Sequence, residues 1–168
     1  MKKQDTTSMQ ELAAQLKTPH GERGAKVADM MNESNIAMTR ECFSMLGLKS
    51  QEVLLEIGHG NAAHVTDFFK TQKDMFYTGL ELSELMYEQA KILNQELVLN
   101  EKAMFVLYDG VLLPFADQSY DAVMTVNTIY FWSHPKAFLK EIYRILKPNS
   151  RLGIAFAQKK FMEHLPFT

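Results

Sequence analysis

From residue 52 onward, five short apolar runs alternate with segments of helical period, and that alternation constrains the fold more than any other feature of the chain. The runs are 52–57 (EVLLEI), 75–82 (MFYTGLEL), 103–108 (AMFVLY), 120–126 (YDAVMTV) and 151–157 (RLGIAFA). Residues 62–70 and 134–146 read as helices. Ser83 can cap a longer helix from Glu84 to about Leu99, and 147–150 (KPNS) reads as a turn. Strands joined through helices imply right-handed crossovers, hence an α/β fold with a mostly parallel sheet covered on both faces. Strands buried that way are apolar on both sides, as these are. In such a sheet a ligand sits beyond the carboxyl ends of the strands, so the residues that follow each strand carry the functional information.

The first fifty residues have a different pattern. Residues 8–17 read as a short helix, broken by 18–21 (TPHG). Over 24–46, Val27, Met30, Met31, Ile36, Met38, Phe43 and Leu46 recur at helical spacing, and Gly47 stands where a C-terminal cap belongs. Asn32, Ser34 and Asn35 are expected to interrupt this helix into two.

Composition narrows the function classes. A chain of 168 residues, 46% hydrophobic, buries a core without disulfides or structural metal. Eighteen Lys and Arg against twenty Asp and Glu leave a net charge of −2, which argues against a dedicated nucleic-acid binder. Cys42 is the only cysteine, so the setting reads as reducing and cytoplasmic and a nucleophilic role is disfavoured. No run of about 18 apolar residues would span a membrane, and the two N-terminal lysines have no apolar stretch of a secretory signal behind them. The five histidines show no metal-ligand spacing, so no metal is expected, and no G-x-S-x-G elbow is present. The eleven methionines read as adaptable core filler.

The loop after the first strand, 56–63 (EIGHGNAA), fits two patterns. Gly58-x-Gly60-x-x-Ala63, with Glu81 about twenty residues on, fits a dinucleotide fingerprint. Glu56-x-Gly58-x-Gly60-x-Ala62 fits an acidic-x-Gly-x-Gly-x-Gly loop with alanine in the third glycine position. Glu56 helps to choose. A carboxylate at the end of an apolar strand needs a partner. A cationic ligand supplies one, whereas a pyrophosphate would repel it. A backbone N–H or a lysine such as Lys26 is the competing partner.

Further stations follow in order: 76–91 (FYTGLELSELMYEQAK), then a long match from Tyr108 to Phe156 that contains LPF, SYDAV and RILKP. With the glycine loop, these make the chain resemble the class I S-adenosylmethionine-dependent methyltransferases, within the broad group that includes the ubiquinone and menaquinone methyltransferases. The resemblance covers about residues 50–157. It implies a Rossmann-like sheet of about five strands in the order 3-2-1-4-5. Residues 1–48 would form a helical lead-in that folds over the site as a lid, 49–158 the S-adenosylmethionine-binding core, and 159–168 a tail.

The resemblance also distributes roles. Glu56, Gly58, His59 and Gly60 belong to the cofactor loop, with His59 touching the ligand, pointing to solvent or pairing locally. Glu81 would accept the ribose hydroxyls, and Leu82 would contact the adenine. Asp109 would bind the adenine amino group, with the Gly110 N–H nearby, although an Asp-Gly turn explains the same pair. Asn127 and Thr128 would lie along the methionine part, with Tyr130, Phe131 and Trp132 just beyond. Tyr130 and His134 are the nearest candidates for a base. The implied partner is a small-molecule methyl acceptor. The alternatives are a nicotinamide-dependent oxidoreductase, or a truncated or inactive relative that only binds the cofactor. The family continues past its fifth strand with a helix and a strand pair that this sequence lacks. The edge at 151–157 is therefore expected to be exposed and to favour self-association.

Overall fold

A computed structural model describes residues 2–158. Two helices lead in, α1 (Lys2–Lys17) and α2 (Gly21–Leu46). The sheet elements follow: β1 (Val53–Ile57), α3 (Val65–Thr71), β2 (Phe76–Glu81), α4 (Glu84–Leu93), α5 (Gln95–Leu99), β3 (Ala103–Leu107), β4 (Tyr120–Val126), α6 (Pro135–Ile145) and β5 (Leu146–Ala155). All strand pairs are parallel and the order is β3-β2-β1-β4-β5, as expected. The tail expected at 159–168 lies outside the described residues.

Each face of the sheet has its own core. On one face Cys42, Phe43 and Leu46 of α2 pack with Phe68 and Phe69 of α3 and Ala90 of α4 over Leu54, Tyr77, Phe105 and Met124. Phe43 stacks on Phe68 with ring centroids 3.9 Å apart. On the other face Ile142 and Ile145 of α6 cover Leu55, Ile57, Leu80 and Val123. Burial raises the Cys42 thiol to about 11, which removes it as a nucleophile. Asp121, at the start of β4, accepts from the Val53 N–H and from Lys147, a purely structural role. Among the described residues nothing pairs with the outer edge of β3 or β5. None of their helices is long and apolar enough to cross a membrane.

Four sequence expectations need correction. The first helix begins at Lys2, ahead of residue 8. α2 runs unbroken through Asn32, Ser34 and Asn35, because Asn32 and Asn35 bond outward to other elements instead of competing for their own backbone. The helix from Glu84 breaks at Asn94, whose buried amide donates to the Ala90 and Ala62 carbonyls. Residues 147–150 form a bulged start to β5 rather than a separate turn. Tyr120 pairs with Leu146 and Ala122 with Arg151, so five residues of β5 advance against two of β4.

Candidate functional site

The loops at the carboxyl ends of the strands, with α2 above them, enclose one cavity of about 1240 Å³. Of the twelve residues singled out from sequence, eleven line it: Glu56, Gly58, His59, Gly60, Glu81, Leu82, Asp109, Gly110, Asn127, Thr128 and His134. Tyr130 does not. Its hydroxyl lies 3.1 Å from the Ala157 carbonyl and 3.3 Å from Asn127 Oδ1, so it straps the ends of β4 and β5 together and is not placed as a base.

Glycine is required where the loop turns. Gly58 has φ +75°, and a Cβ there would come within 2.5 Å of Thr128 Cγ2. Its N–H donates to the Leu80 carbonyl, which locks the loop over the end of β2. Gly60 has φ +60° and no protein atom closer than 3.9 Å to a Cβ built there, leaving open space for a ligand to approach the backbone. Ala62 also takes a left-handed φ, +55°, where the pattern calls for a third glycine.

Glu56 finds its partners inside the protein. It is 2% exposed, with Oε2 at 2.8 Å from His64 Nε2 and accepting from the Tyr77 hydroxyl at 2.6 Å. Burial alone would raise its pKa, but the His64 charge and the two hydrogen bonds outweigh it and hold the carboxyl below its ordinary value. Burial likewise pulls His64 down, and Glu56 more than restores it, so His64 is raised. The pairing expected from a cationic ligand, or from Lys26, thus comes from His64 and Tyr77.

Glu81 is also sealed, at 5% exposed, but its partners are neutral. Oε2 accepts from the Gly60 N–H at 3.0 Å, and Oε1 from the Leu82 and Ser83 N–H groups at 2.8 and 3.1 Å. Burial outweighs these dipoles and raises its pKa. A carboxylate offers about four lone-pair positions, so one remains for a hydroxyl in the cavity. Asp109 makes both of its expected uses compatible: Oδ1 accepts from the Val111 N–H in an Asx turn while the residue still borders the cavity. Gly110 takes φ +81°, which favours glycine, and a Cβ there would push on the Leu82 side chain, meeting Cδ2 at 2.9 Å.

His59 neither faces solvent nor pairs locally. It is 3% exposed, its ring packs edge-on against Phe105, and neither ring nitrogen has a partner. A Cβ on Gly79 would sit 2.6 Å from its Cδ2, so Gly79 makes the slot it occupies. Burial lowers its pKa to about 4 and keeps the ring neutral.

Several hydrogen bonds that position the site join residues far apart in the chain, and nothing in the sequence pairs them. Asn32 donates to Asn61 at 2.6 Å and Asn127 donates to Asn35 at 2.8 Å, stapling α2 to the loops after β1 and β4. Asn127 takes φ +56°, and its Oδ1 accepts from the Ala157 N–H at 3.0 Å. Its side chain therefore joins three elements, while the residue still borders the cavity. Ser83 caps α4 by accepting from the Met86 N–H and donates to the Pro19 carbonyl, which ties the α1–α2 corner to the Glu81 loop. Among the described residues no cluster of three or more ligating side chains could hold a metal ion.

The chain resembles known proteins along most of this core. It is 26% identical over 124 residues to 27-O-demethylrifamycin SV methyltransferase of Amycolatopsis mediterranei (strain S699), covering 74% of this chain and 45% of that protein. It spans a little under half the length of the first curated relatives it matches. A putative S-adenosyl-L-methionine-dependent methyltransferase of Methanococcus maripaludis shares the fold with a TM-score of 0.66 at 24% identity, covering 84% of this chain and 67% of that one. The [4+2]-cyclase SpnF shares it with a TM-score of 0.64 at 24% identity, covering 70% and 43%. The fold therefore hosts more than one chemistry, and membership has to rest on sequence. Residues 55–154, well over half of the chain, match the Methyltransferase domain family, and the chain belongs to that family.

Proposed function

We propose that this chain binds S-adenosylmethionine and transfers its methyl group to a small-molecule acceptor. The observation that carries the proposal is the convergence of the glycine loop and Glu81 in one cavity within the matched region. The residues fit the group: Gly58 and Gly60 give the close backbone approach, Glu81 keeps a lone pair for a ribose hydroxyl, and Leu82 offers an apolar contact to adenine. Asp109 and Gly110 border the adenine end, and His59, packed against Phe105, belongs to the same lining. Thr128 and the backbone of Asn127 border the methionine end. Glu56 acts at one remove, fixing the loop through His64 and Tyr77.

When bound, the cofactor supplies a methyl group on a sulfonium: the acceptor atom forms a bond to carbon as the carbon–sulfur bond breaks, its electron pair remaining on sulfur. The protein's part is to hold the acceptor in line at contact distance. His134, at the N-terminus of α6 and lining the cavity, would take a proton from the acceptor. Residues 1–48 serve as the lid and 49–158 as the core. The sequence affinity to the ubiquinone and menaquinone group, carried by LPF, SYDAV and RILKP, forms part of this reading. The relative that methylates 27-O-demethylrifamycin SV supports an organic small-molecule acceptor. The family match does not favour a nicotinamide cofactor. The outer edge of β5, unpaired among the described residues, supports self-association, to be read by light scattering across protein concentration, where a concentration-independent monomer would refute it.

Calorimetric titration with S-adenosylmethionine and with NADH tests the proposal. Saturable binding of the first alone is expected, and NADH binding without a response to S-adenosylmethionine overturns it. Glu81→Ala should weaken binding by several-fold to a hundredfold, the loss of a charged hydrogen bond of about 1.5–3 kcal/mol.

A further inference from the structure

The part of the cavity beyond β4 differs in chemistry from the part beyond β1, β2 and β3. Ile36 of α2 and Phe131, Trp132 and Phe138 of the β4–α6 segment line it. The Asn35–Asn127 hydrogen bond holds α2 against this end. The Trp132 ring is fixed by the protein itself. Its indole N–H donates to Thr128 Oγ1 at 3.2 Å, and its ring lies against Phe138 with centroids 4.8 Å apart and planes inclined at 58°. A flat apolar surface held in advance loses little freedom when a flat ligand docks on it.

Charge adds a second constraint. Among the described lining residues, Glu33, Glu81 and Asp109 have no ion-pair partner, against Lys17 alone. Arg40 is held by Asp67 at 2.6 Å, and Glu141 is held by Arg144 at 2.8 Å. A carboxylate or phosphate on the acceptor would lose its hydration against Ile36, Phe131, Trp132 and Phe138, none of which offers it a compensating charge.

We infer that the acceptor is an uncharged aromatic molecule, seated against Trp132 and Phe138 beneath α2, an inference that rests on the methyltransferase reading above. Trp132 is the only tryptophan in the chain, so its fluorescence reports this end of the cavity directly. The full chain, saturated with S-adenosylhomocysteine, is titrated at neutral pH with methyl 4-hydroxybenzoate and with 4-hydroxybenzoate, a pair that differs mainly in charge. The ester should change Trp132 emission saturably, with a Kd at least about tenfold below that of the carboxylate, a difference of about 1.4 kcal/mol. Ile36→Arg adds a cation to the slot and should narrow or reverse that ratio, with an unchanged far-ultraviolet circular dichroism spectrum. Equal or tighter binding of the carboxylate overturns the inference, as does an unchanged ratio in folded Ile36→Arg. Silence of Trp132 toward both ligands, while calorimetry records S-adenosylmethionine binding, also overturns it. Absence of any S-adenosylmethionine binding instead refutes the methyltransferase reading, and the same titrations without cofactor still judge the slot.

Discussion

Glu56 and Glu81 stand near the carboxyl ends of neighbouring strands, both nearly sealed from water, yet their acidities shift in opposite directions. Glu56 is held by an imidazole whose pKa it raises and by a hydroxyl, Glu81 by three neutral backbone N–H groups. Full charge pairing repays the loss of hydration, and dipoles alone do not. The difference separates their roles. Glu56 is closed to a ligand and serves the scaffold. Glu81 keeps unspent capacity, and a ligand hydroxyl would stabilise its ionised form.

The largest expected effect comes from breaking the closed side. Glu56→Ala should destabilise the fold by about 3–5 kcal/mol in urea denaturation, because His64 and Tyr77 are left buried without their acceptor. A loss under about 1 kcal/mol would mean that the pair does not hold the loop. Next comes pH. His64 is raised in the fold, so its share of the stabilisation is complete below its ordinary value of 6.5 and fades as pH rises through the raised value. Glu56 is lowered, so its share is complete above 4.5 and is lost as pH falls through the lowered value. Denaturation midpoints across pH should therefore fall on both sides of a plateau, and His64→Gln should flatten the alkaline limb. Glu81 behaves in the opposite sense. Its proton is retained to higher pH than usual, so affinity for S-adenosylmethionine should weaken as pH falls through its raised value, which calorimetry at several pH values would record.

Smaller effects test the frame around the two acids. Asn35→Ala removes one staple of α2 and should cost about 1 kcal/mol of stability. Ala62→Gly sets two terms against each other. It relieves a left-handed alanine, worth about 1–2 kcal/mol, and removes a fully buried methyl, worth about 0.8 kcal/mol, with added chain entropy further reducing the gain. The expected net change in melting stability is under about 1 kcal/mol, and a loss of several would show that the loop geometry is wrong.

The strands were legible because each is a short apolar run bounded by turn residues, and the order followed from the resemblance. The part of the lining that follows the strand ends was legible for a related reason: ligand-facing residues stand there at fixed places in the chain. Partnerships across the fold were not. That Glu56 needed a partner was readable from its apolar setting. That the partner is His64, eight residues on, together with Tyr77 on the next strand, depends on how the loop turns after Ile57. The asparagines misled for a physical reason. An amide within a helix looks like a break when its tertiary partner is unknown. Asn32 and Asn35 spend their amides on such partners alone, while Asn94 also bonds the Ala90 carbonyl of its own helix, which ends there. Tyr130 shows the limit of motif position, since its hydroxyl turned toward the backbone of the next strand.

The long reach of α2 has a consequence for biosynthesis. Its C-terminal end is anchored by Arg151, whose guanidinium donates to the Gly47 carbonyl across 104 residues of sequence. At about 5–20 residues per second, a ribosome completes β5 roughly 5–20 s after α2 has emerged. Through that interval the apolar stripe of Val27, Cys42, Phe43 and Leu46 lacks the sheet that will cover it. An element made early is thus among the last to be secured, and nascent chains of this protein should depend on chaperone shielding of α2 until β5 is in place.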